Sequence, residues 1–209
     1  IAQMAGGRLA GDDAMVDGVA TDTRKLADAG DGAPLFVALK GENFDGHAHV
    51  ADAAARGAVA ALVSREVDAA IPQIRVADTQ LALAAFARGL QRERATRVFA
   101  VTGSNGKTSV KTLLLSILNQ AGGAYANPGN FNNEIGLPLA LIDAPEQARF
   151  AVYEMGAGKP GDIKYLTDIV RPDVALVNNI APAHLERMGT LLNVADTKAA
   201  IYDALGSDG

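Results

Sequence analysis

Residues 97–121 read RVFAVTGSNGKTSVKTLLLSILNQA, and this stretch predicts how the second half of the chain folds. The run from Val98 to Thr102 is apolar without alternation, which is typical of a strand buried on both faces of a parallel sheet. A turn of small residues (GSNG) follows. Apolar residues such as Leu113 and Ile117 then recur with helical spacing until Gly122. The stretch therefore predicts a strand, a glycine turn and a helix.

This order of elements is typical of a site that binds a triphosphate. Small residues let backbone N–H groups approach the phosphates, and the start of the helix adds roughly half a positive charge. Lys107 would reach the outer phosphates and the Thr108 hydroxyl would ligate Mg²⁺. The residues of this predicted triphosphate loop, which the family resemblance described below implies to bind ATP, are Gly103, Ser104, Asn105, Gly106, Lys107, Thr108 and Ser109. Val101 stands where the longer GxxxxGK[ST] motif has its first glycine, so an ordinary glycine-rich turn is the alternative.

The composition limits the class of protein. The 209 residues include 19 basic and 24 acidic side chains, for a net charge of −5. The sequence contains no basic block, so a nucleic-acid partner is not expected. The absence of cysteine excludes disulfides and thiolate zinc sites. Charges interrupt every apolar run before a membrane-spanning length, and no signal peptide opens the chain. We therefore expect a cytoplasmic protein, a monomer, without membrane insertion.

The first part of the chain predicts a small α/β domain. Leu35–Leu39 and Val59–Val63 are candidate strands, and Val50–Arg56 between them is a candidate helix. Ile1–Ala5 also predicts a short helix. Asp78 is a candidate N-cap for a further helix that continues to about Gln91.

The charged run 91–97 (QRERATR) favours a domain boundary, which gives domains of residues 1–93 and 94–209. In the first domain, the polar loops 21–26 (TDTRKL) and 40–49 (KGENFDGHAH) flank one predicted strand. Such loops form ligand sites or ordinary turns, and both interpretations stay open.

Two further predicted strands end in residues that suit metal chemistry. Phe150–Met155 carries Glu154 near its end, and His184 follows the strand predicted over Asp173–Asn179. Ligands bind beyond the carboxyl ends of parallel strands, so Glu154 and His184 would face Thr108 across one crevice. Mg²⁺ takes oxygen ligands and bridges phosphates, which favours a magnesium site there. The alternative for His184 is a structural role.

The segment 125–138 (YANPGNFNNEIGLP) is rich in asparagine and glycine. Amide side chains can contact a sugar, a peptide or a diphosphate. By itself, however, the segment is better explained by local turns whose asparagines bind the backbone.

A lysine lies on the apolar face of the last predicted helix, Asn193–Leu205. Lys198 shares that face with Val194 and Ile201. Such lysines usually extend to water. If Lys198 is instead enclosed, its amine is driven toward the neutral, nucleophilic form.

Several of these segments together resemble the Mur ligases of bacterial peptidoglycan synthesis. They are DTRKL (22–26), LFVALKGENFDGH (35–47), TGSNGKTS (102–109), NPGNFNNEIGLP (127–138), YEMGA (153–157) and NNIAPAHLERMG (178–189). The resemblance implies an α/β chain with a small N-terminal UDP-sugar-binding domain and a P-loop-type parallel-sheet ATPase domain. The chain opens without methionine and ends just after a predicted helix. We therefore expect the ATPase domain to be incomplete and the family's C-terminal Rossmann-like domain to be missing.

Within the family, the segments look most like the members that join D-alanyl-D-alanine to UDP-N-acetylmuramoyl-tripeptide. The sister that adds the third peptide residue typically has Asp before the histidine, where this chain has Ala183. The resemblance implies ATP-dependent amide ligation through an acyl phosphate, with little or no activity from this chain alone. The sister ligase and a non-catalytic nucleotide-binding module are the alternatives, and a folate polyglutamate ligase is less consistent with the opening segments.

The resemblance also assigns roles to residues. It implies catalytic roles for Lys107, Glu154, His184 and Lys198, and metal binding by Thr108, Glu154, His184 and Lys198, the last as a CO₂-derived carbamate. The implied substrate-binding residues are Thr23, Arg24, Lys40, Gly41, Asp45, Gly46, His47, Asn130, Asn132 and Asn133. Ala200 departs from the family, which often has Glu two residues after the carbamylated lysine.

Overall fold

The computed structural model describes residues 1–28 and 32–207 and divides the chain into two compact units, Ile1–Gly89 and Leu90–Gly209. Both units combine helices with a largely parallel sheet, as the sequence predicted. The division falls inside one long helix, four residues before the predicted boundary. Each unit is described by itself below.

Unit 1 contains a five-stranded sheet in the order β1-β5-β4-β3-β2. Its strands are β1 (Arg8–Ala10), β2 (Gly18–Ala20), β3 (Pro34–Val37), β4 (Ala60–Val63) and β5 (Gln73–Arg75). β2 to β5 run parallel to their neighbours, and β1 is antiparallel at one edge. Every residue of β3 and β4 is buried, because both strands lie inside the sheet.

The helices of unit 1 follow the predicted signals in part. α1 (Val50–Ala55) and α2 (Thr79–Glu93) form where expected, and Asp78 accepts a hydrogen bond from the Leu81 N–H at 2.8 Å. Short 3-10 helices form at Gly46–His49, within the predicted loop 40–49, and at Thr23–Asp28, which begins in the predicted loop 21–26. The helix predicted over Ile1–Ala5 is wrong. A single turn forms there and ends at Gly6, whose φ is +66°.

Unit 2 contains a parallel four-stranded sheet in the order β7-β8-β6-β9. Its strands are β6 (Arg97–Thr102), β7 (Ala124–Ala126), β8 (Phe150–Glu154) and β9 (Val174–Val177). Its helices are α3 (Lys107–Ala121), α4 (Gly136–Ile142), α5 (Asp162–Val170), α6 (Leu185–Met188) and α7 (Leu191–Ala199). Because β6, β8 and β9 are parallel neighbours, their carboxyl ends meet at one edge of the sheet.

The last helix of unit 2 ends earlier than the sequence predicted. The helix predicted over Asn193–Leu205 is α7 followed by a separate 3-10 turn, Ala200–Tyr202. The turn tightens the backbone where Ile201 is fully buried, as helix ends often do.

The inward face of α3 is not the predicted one. Leu113 and Ile117 are 64% and 65% exposed, whereas Lys111 is only 6% exposed. The apolar spacing therefore identified the helix but not the side that it buries. Among the described residues, no helix is both long and apolar enough to cross a membrane.

The close packing at Gly46 gives a stability prediction. A Cβ there would lie 2.7 Å from the Leu39 carbonyl oxygen, whereas a Cβ at Gly41 would meet nothing within 4 Å. We expect Gly46→Ala to lower the free energy of unfolding by about 1–3 kcal/mol, because the backbone must move to relieve the overlap. Gly41→Ala is the matched control and should stay within about 0.5 kcal/mol of wild type. Urea denaturation measures both, and equal stabilities would contradict the packing role.

Candidate active site

The predicted phosphate loop connects β6 to the start of α3. Gly106 has a φ of +73°, and a Cβ there would lie 2.9 Å from the Asn178 Nδ2 atom. Glycine is therefore required on both conformational and steric grounds. Anion binding by the backbone N–H groups at the start of α3 stays a prediction.

Two asparagines that follow β9 hold this loop in place. Asn179 accepts a hydrogen bond from the Asn105 N–H through its side-chain oxygen at 3.0 Å, and from the Ser104 N–H through its carbonyl at 3.0 Å. Asn178 donates from Nδ2 to the Asn105 carbonyl at 2.7 Å. The sequence showed only that polar residues follow this strand. Their hydrogen bonds to the phosphate loop depend on β9 lying next to β6.

Lys107 lies at the first position of α3, and its Nζ atom donates to the Gly103 carbonyl at 2.9 Å. The side chain is only half-buried and lines a cleft of about 430 Å³. The same cleft is lined by Asn132, His184 and Arg187. The structure therefore brings Lys107 and His184 to one cavity, although these residues lie far apart in the sequence.

The Thr108 hydroxyl donates to Glu154 Oε2 at 2.9 Å. Glu154 is only 3% exposed at the end of β8, so its carboxylate needs partners inside the protein. Asn132 donates from Nδ2 to the other carboxylate oxygen at 2.9 Å, and Lys111 Nζ lies 3.5 Å from Oε2. Thr108 and Glu154 therefore meet directly, and Asn132 connects their pair to the cleft that contains His184.

Asn127 is a site residue that the sequence analysis did not identify. It is 1% exposed, and its side-chain oxygen accepts the Glu154 N–H at 2.9 Å. Its Nδ2 atom donates to the carbonyls of Phe131 and Glu154 at 2.8 and 3.2 Å. This one amide fixes the end of β8 and the following loop together. The asparagine-rich composition was the only signal in the sequence that could have found it.

The three predicted asparagines differ in role. Asn132 contacts the buried carboxylate, whereas the Asn133 side-chain oxygen accepts the Gly136 N–H at 2.7 Å and serves the start of α4. Asn130 is exposed. The explanation by local turns therefore holds for Asn133, although Asn133 also lines the cleft.

Lys198 is 4% exposed on α7, near the fully enclosed Val194 and Ile201, so of the two possibilities that the sequence left open the structure shows the enclosed lysine. Burial in this apolar environment, together with the smaller effect of the positive charge of Lys107, lowers the pKa of the Lys198 amine to about 8. At pH 8 about half of the Lys198 side chains are therefore neutral, against well under 1% of ordinary lysines.

In unit 1, the predicted loop 40–49 is organised around Asp45. Its carboxylate accepts from the His47 N–H at 3.0 Å, lies 2.6 Å from His47 Nδ1 and pairs with Arg65 at 3.1 Å. Hydrogen bonds from the His47 backbone and ring, followed by one from Arg65, lower the pKa of this carboxyl well below its usual range.

His47 itself is 2% exposed, and its Nε2 atom accepts the Ser64 N–H at 2.9 Å. Both ring nitrogens thus have protein partners. His47 and the closely packed Gly46 therefore position the loop, and their contact with substrate stays a prediction. Lys40 and Gly41 are exposed, which leaves them accessible to a ligand.

The other predicted loop contributes Thr23 and Arg24. The guanidinium of Arg24 is exposed and makes a bidentate contact with Asp22, at 2.6 Å for the closer pair. This contact lowers the pKa of Asp22 and raises the pKa of Arg24. The side chains of Arg56 and, to a smaller extent, Thr23 lower the pKa of Asp52.

The donor set at Thr108 and Glu154 suits Mg²⁺. It offers one hydroxyl and one carboxylate, both oxygen ligands, and Mg²⁺ commonly takes few protein ligands when substrate phosphates complete its shell. Over residues 1–28 and 32–207 no group of three histidine or acidic side chains could hold a metal unaided.

Known proteins share this arrangement of elements. A solved structure of MurF from Acinetobacter baumannii matches 99% of the chain with a TM-score of 0.92 and 36% identity. MurF from Thermotoga maritima in complex with ADP matches 91% with a TM-score of 0.82 and 34% identity. The UDP-N-acetylmuramoyl-tripeptide–D-alanyl-D-alanine ligase of Escherichia coli K12 is 45% identical over 97% of the chain.

The chain spans less than half the length of these relatives: 44% of the Escherichia coli protein, 46% of the Acinetobacter baumannii structure and 44% of the Thermotoga maritima structure. The model of the Mur ligase family catalytic domain matches residues 16–91, and that of the Mur ligase middle domain matches residues 101–209. The second match alone covers more than half of the chain, which therefore belongs to the Mur ligase family.

Proposed function

We propose that the full-length protein joins D-alanyl-D-alanine to UDP-N-acetylmuramoyl-tripeptide in an ATP-dependent reaction of peptidoglycan precursor synthesis in the cytoplasm. The observation that carries the proposal is the 2.9 Å contact between Thr108 and the buried Glu154 beside a phosphate loop. The relatives described above have this activity in their names, and one was solved with ADP.

The phosphate loop would hold the triphosphate through the backbone N–H groups at the start of α3. Lys107 now donates to the Gly103 carbonyl, and the same ammonium would turn to the outer phosphates when ATP is bound. Thr108 and Glu154 would hold Mg²⁺, which when bound offsets the charge on the γ-phosphate. His184 and a carbamate on Lys198 would hold a second cation at the cleft.

The reaction has two steps. An oxygen of the tripeptide carboxylate attacks the γ-phosphorus, the bond to ADP breaks, and an acyl phosphate forms. The amine of D-alanyl-D-alanine then attacks the acyl carbon and loses a proton, the amide bond forms, and phosphate leaves. Lys107 would stabilise the charge that gathers on the phosphoryl oxygens. Asn132 would keep the Glu154 carboxylate oriented, because it already binds Oε1.

The UDP-sugar end of the substrate would bind at the loops of unit 1. Arg24 and Lys40 are exposed cations that suit a diphosphate, and the Thr23 hydroxyl and the Gly41 backbone can donate or accept hydrogen bonds. Asp45 holds the shape of loop 40–49 through His47. Asn130, Asn132 and Asn133 would lie near the muramoyl and peptide portions.

Turnover with different amines tests the proposed substrate. The full-length protein, given ATP, Mg²⁺ and the UDP-linked acceptor, should release ADP with D-alanyl-D-alanine and the tripeptide substrate. Activity only with a diamino acid or lysine and the dipeptide substrate would contradict the proposal and favour the sister ligase. No ADP release with any amine, although ATP binds, would favour a non-catalytic module.

The role of Lys107 gives a further prediction. Lys107→Ala in the full-length protein should lower ADP release by about 100-fold or more, because one preorganised cation at the phosphoryl group is lost. Lys164→Ala is the matched control, because Lys164 is exposed and pairs only with Asp168 on the same helix. Release of phosphate over time measures both variants, and wild-type turnover in Lys107→Ala would remove the lysine from the mechanism.

Carbamylation of Lys198 can be observed directly. With ¹³C-bicarbonate at a fixed concentration, the full-length protein should show a carbamate carbon signal by NMR. The signal should level off above about pH 8, because the lowered pKa of Lys198 makes the amine neutral there. Lys198→Ala should lack the signal and the exposed Lys164→Ala should retain it. A signal that rises toward pH 10 in both variants would come from ordinary surface lysines and contradict the assignment.

A further inference from the structure

Lys111 is the inward-facing charge of α3, and none of the roles above uses it. Its side chain is 7% exposed, and its Nζ atom donates to the Asn127 and Gly129 carbonyls at 2.9 and 3.3 Å. The third acceptor is Glu154 Oε2 at 3.5 Å. Two hydrogen bonds and one ion pair thus surround the ammonium, which explains how a lysine is tolerated inside the protein.

The charge of Lys111 acts on the same oxygen that contacts Thr108. Glu154 Oε2 accepts from Thr108 and lies beside Lys111, and the Glu154 side chain is only 4% exposed. Water screens the pair poorly, so the ammonium opposes a second cation at that oxygen. The Glu154 carboxylate thus faces the Lys111 ammonium, which weakens the attraction of Thr108 and Glu154 for a free divalent cation.

We propose that Lys111 is a positioning residue that makes divalent-cation binding at Thr108 and Glu154 depend on the nucleotide. It orients the Glu154 carboxylate and the 127–129 backbone while cancelling the charge that would attract a free cation. Phosphate oxygens restore the negative charge that the cation needs, so metal and nucleotide bind together. The inference rests on the proposed function, because it takes the phosphate loop to be an ATP site.

The test measures Mn²⁺ binding to the full-length protein by electron spin resonance, first alone and then with a non-hydrolysable ATP analogue. Wild type should bind Mn²⁺ weakly alone and much more tightly with the analogue. Lys111→Met, which keeps the unbranched stem and removes the charge, should bind Mn²⁺ without nucleotide about tenfold or more tightly than wild type. If Lys111 only supports the fold, Lys111→Met should bind Mn²⁺ without nucleotide as weakly as wild type does.

Two further variants make the result decisive. Lys111→Gln also lacks the charge but keeps an N–H donor for the loop carbonyls, so it should reproduce the gain if Lys111→Met fails to fold. Lys164→Met removes an exposed lysine from α5 and should match wild type. Equal nucleotide-free Mn²⁺ affinity in wild type and Lys111→Gln overturns the inference. Failure of wild type to bind the analogue at all would instead overturn the proposed function.

Discussion

The buried carboxylate of Glu154 is the point on which unit 2 depends. A carboxylate that is 3% exposed must be paired, and here a hydroxyl, an amide and an ammonium meet it. These partners come from α3 and from the loop that follows β7. These contacts satisfy the buried carboxylate. They also connect the helix that follows the phosphate loop to the asparagine-rich segment.

This arrangement follows from the parallel sheet. β6 pairs with β8 on one side and with β9 on the other, so the residues after these strands emerge at one edge. The phosphate loop follows β6, Glu154 ends β8, and Asn178 and Asn179 follow β9 and bind the loop. Neighbouring strands therefore bring together the Thr108–Glu154 pair and the support for the phosphate loop without any long insertion.

The sequence predicted those parts of the fold that local periodicity determines. The apolar run of β6, the glycine turn and the start of α3 were correct because strand burial and glycine geometry leave clear local signals. The apolar stripe of the last helix drew attention to Lys198, but the sequence left open whether this lysine is enclosed or extends to water. The helix over Ile1–Ala5 failed because one turn of favourable residues does not overcome the cost of starting a helix.

The contacts that sequence reasoning missed join residues that are distant in the chain. Lys111 was not recognised, because an apolar stripe on α3 suggested that Leu113 and Ile117 would be buried, and both are exposed. The sequence did not distinguish Asn127 from the other asparagines of its segment, because its contacts with the end of β8 depend on the fold. His47 looked accessible within a polar loop, although Asp45 and Ser64 engage both ring nitrogens.

The central claim is that Thr108 and Glu154 form one half of a cation site and that a nucleotide completes it. A crystal structure of the full-length protein with Mn²⁺ and a non-hydrolysable ATP analogue would test this directly, because anomalous scattering locates the metal. We expect one peak bound by the Thr108 hydroxyl, the Glu154 carboxylate and phosphate oxygens. A bound analogue with no metal at these two side chains, or with metal only elsewhere, would contradict the account.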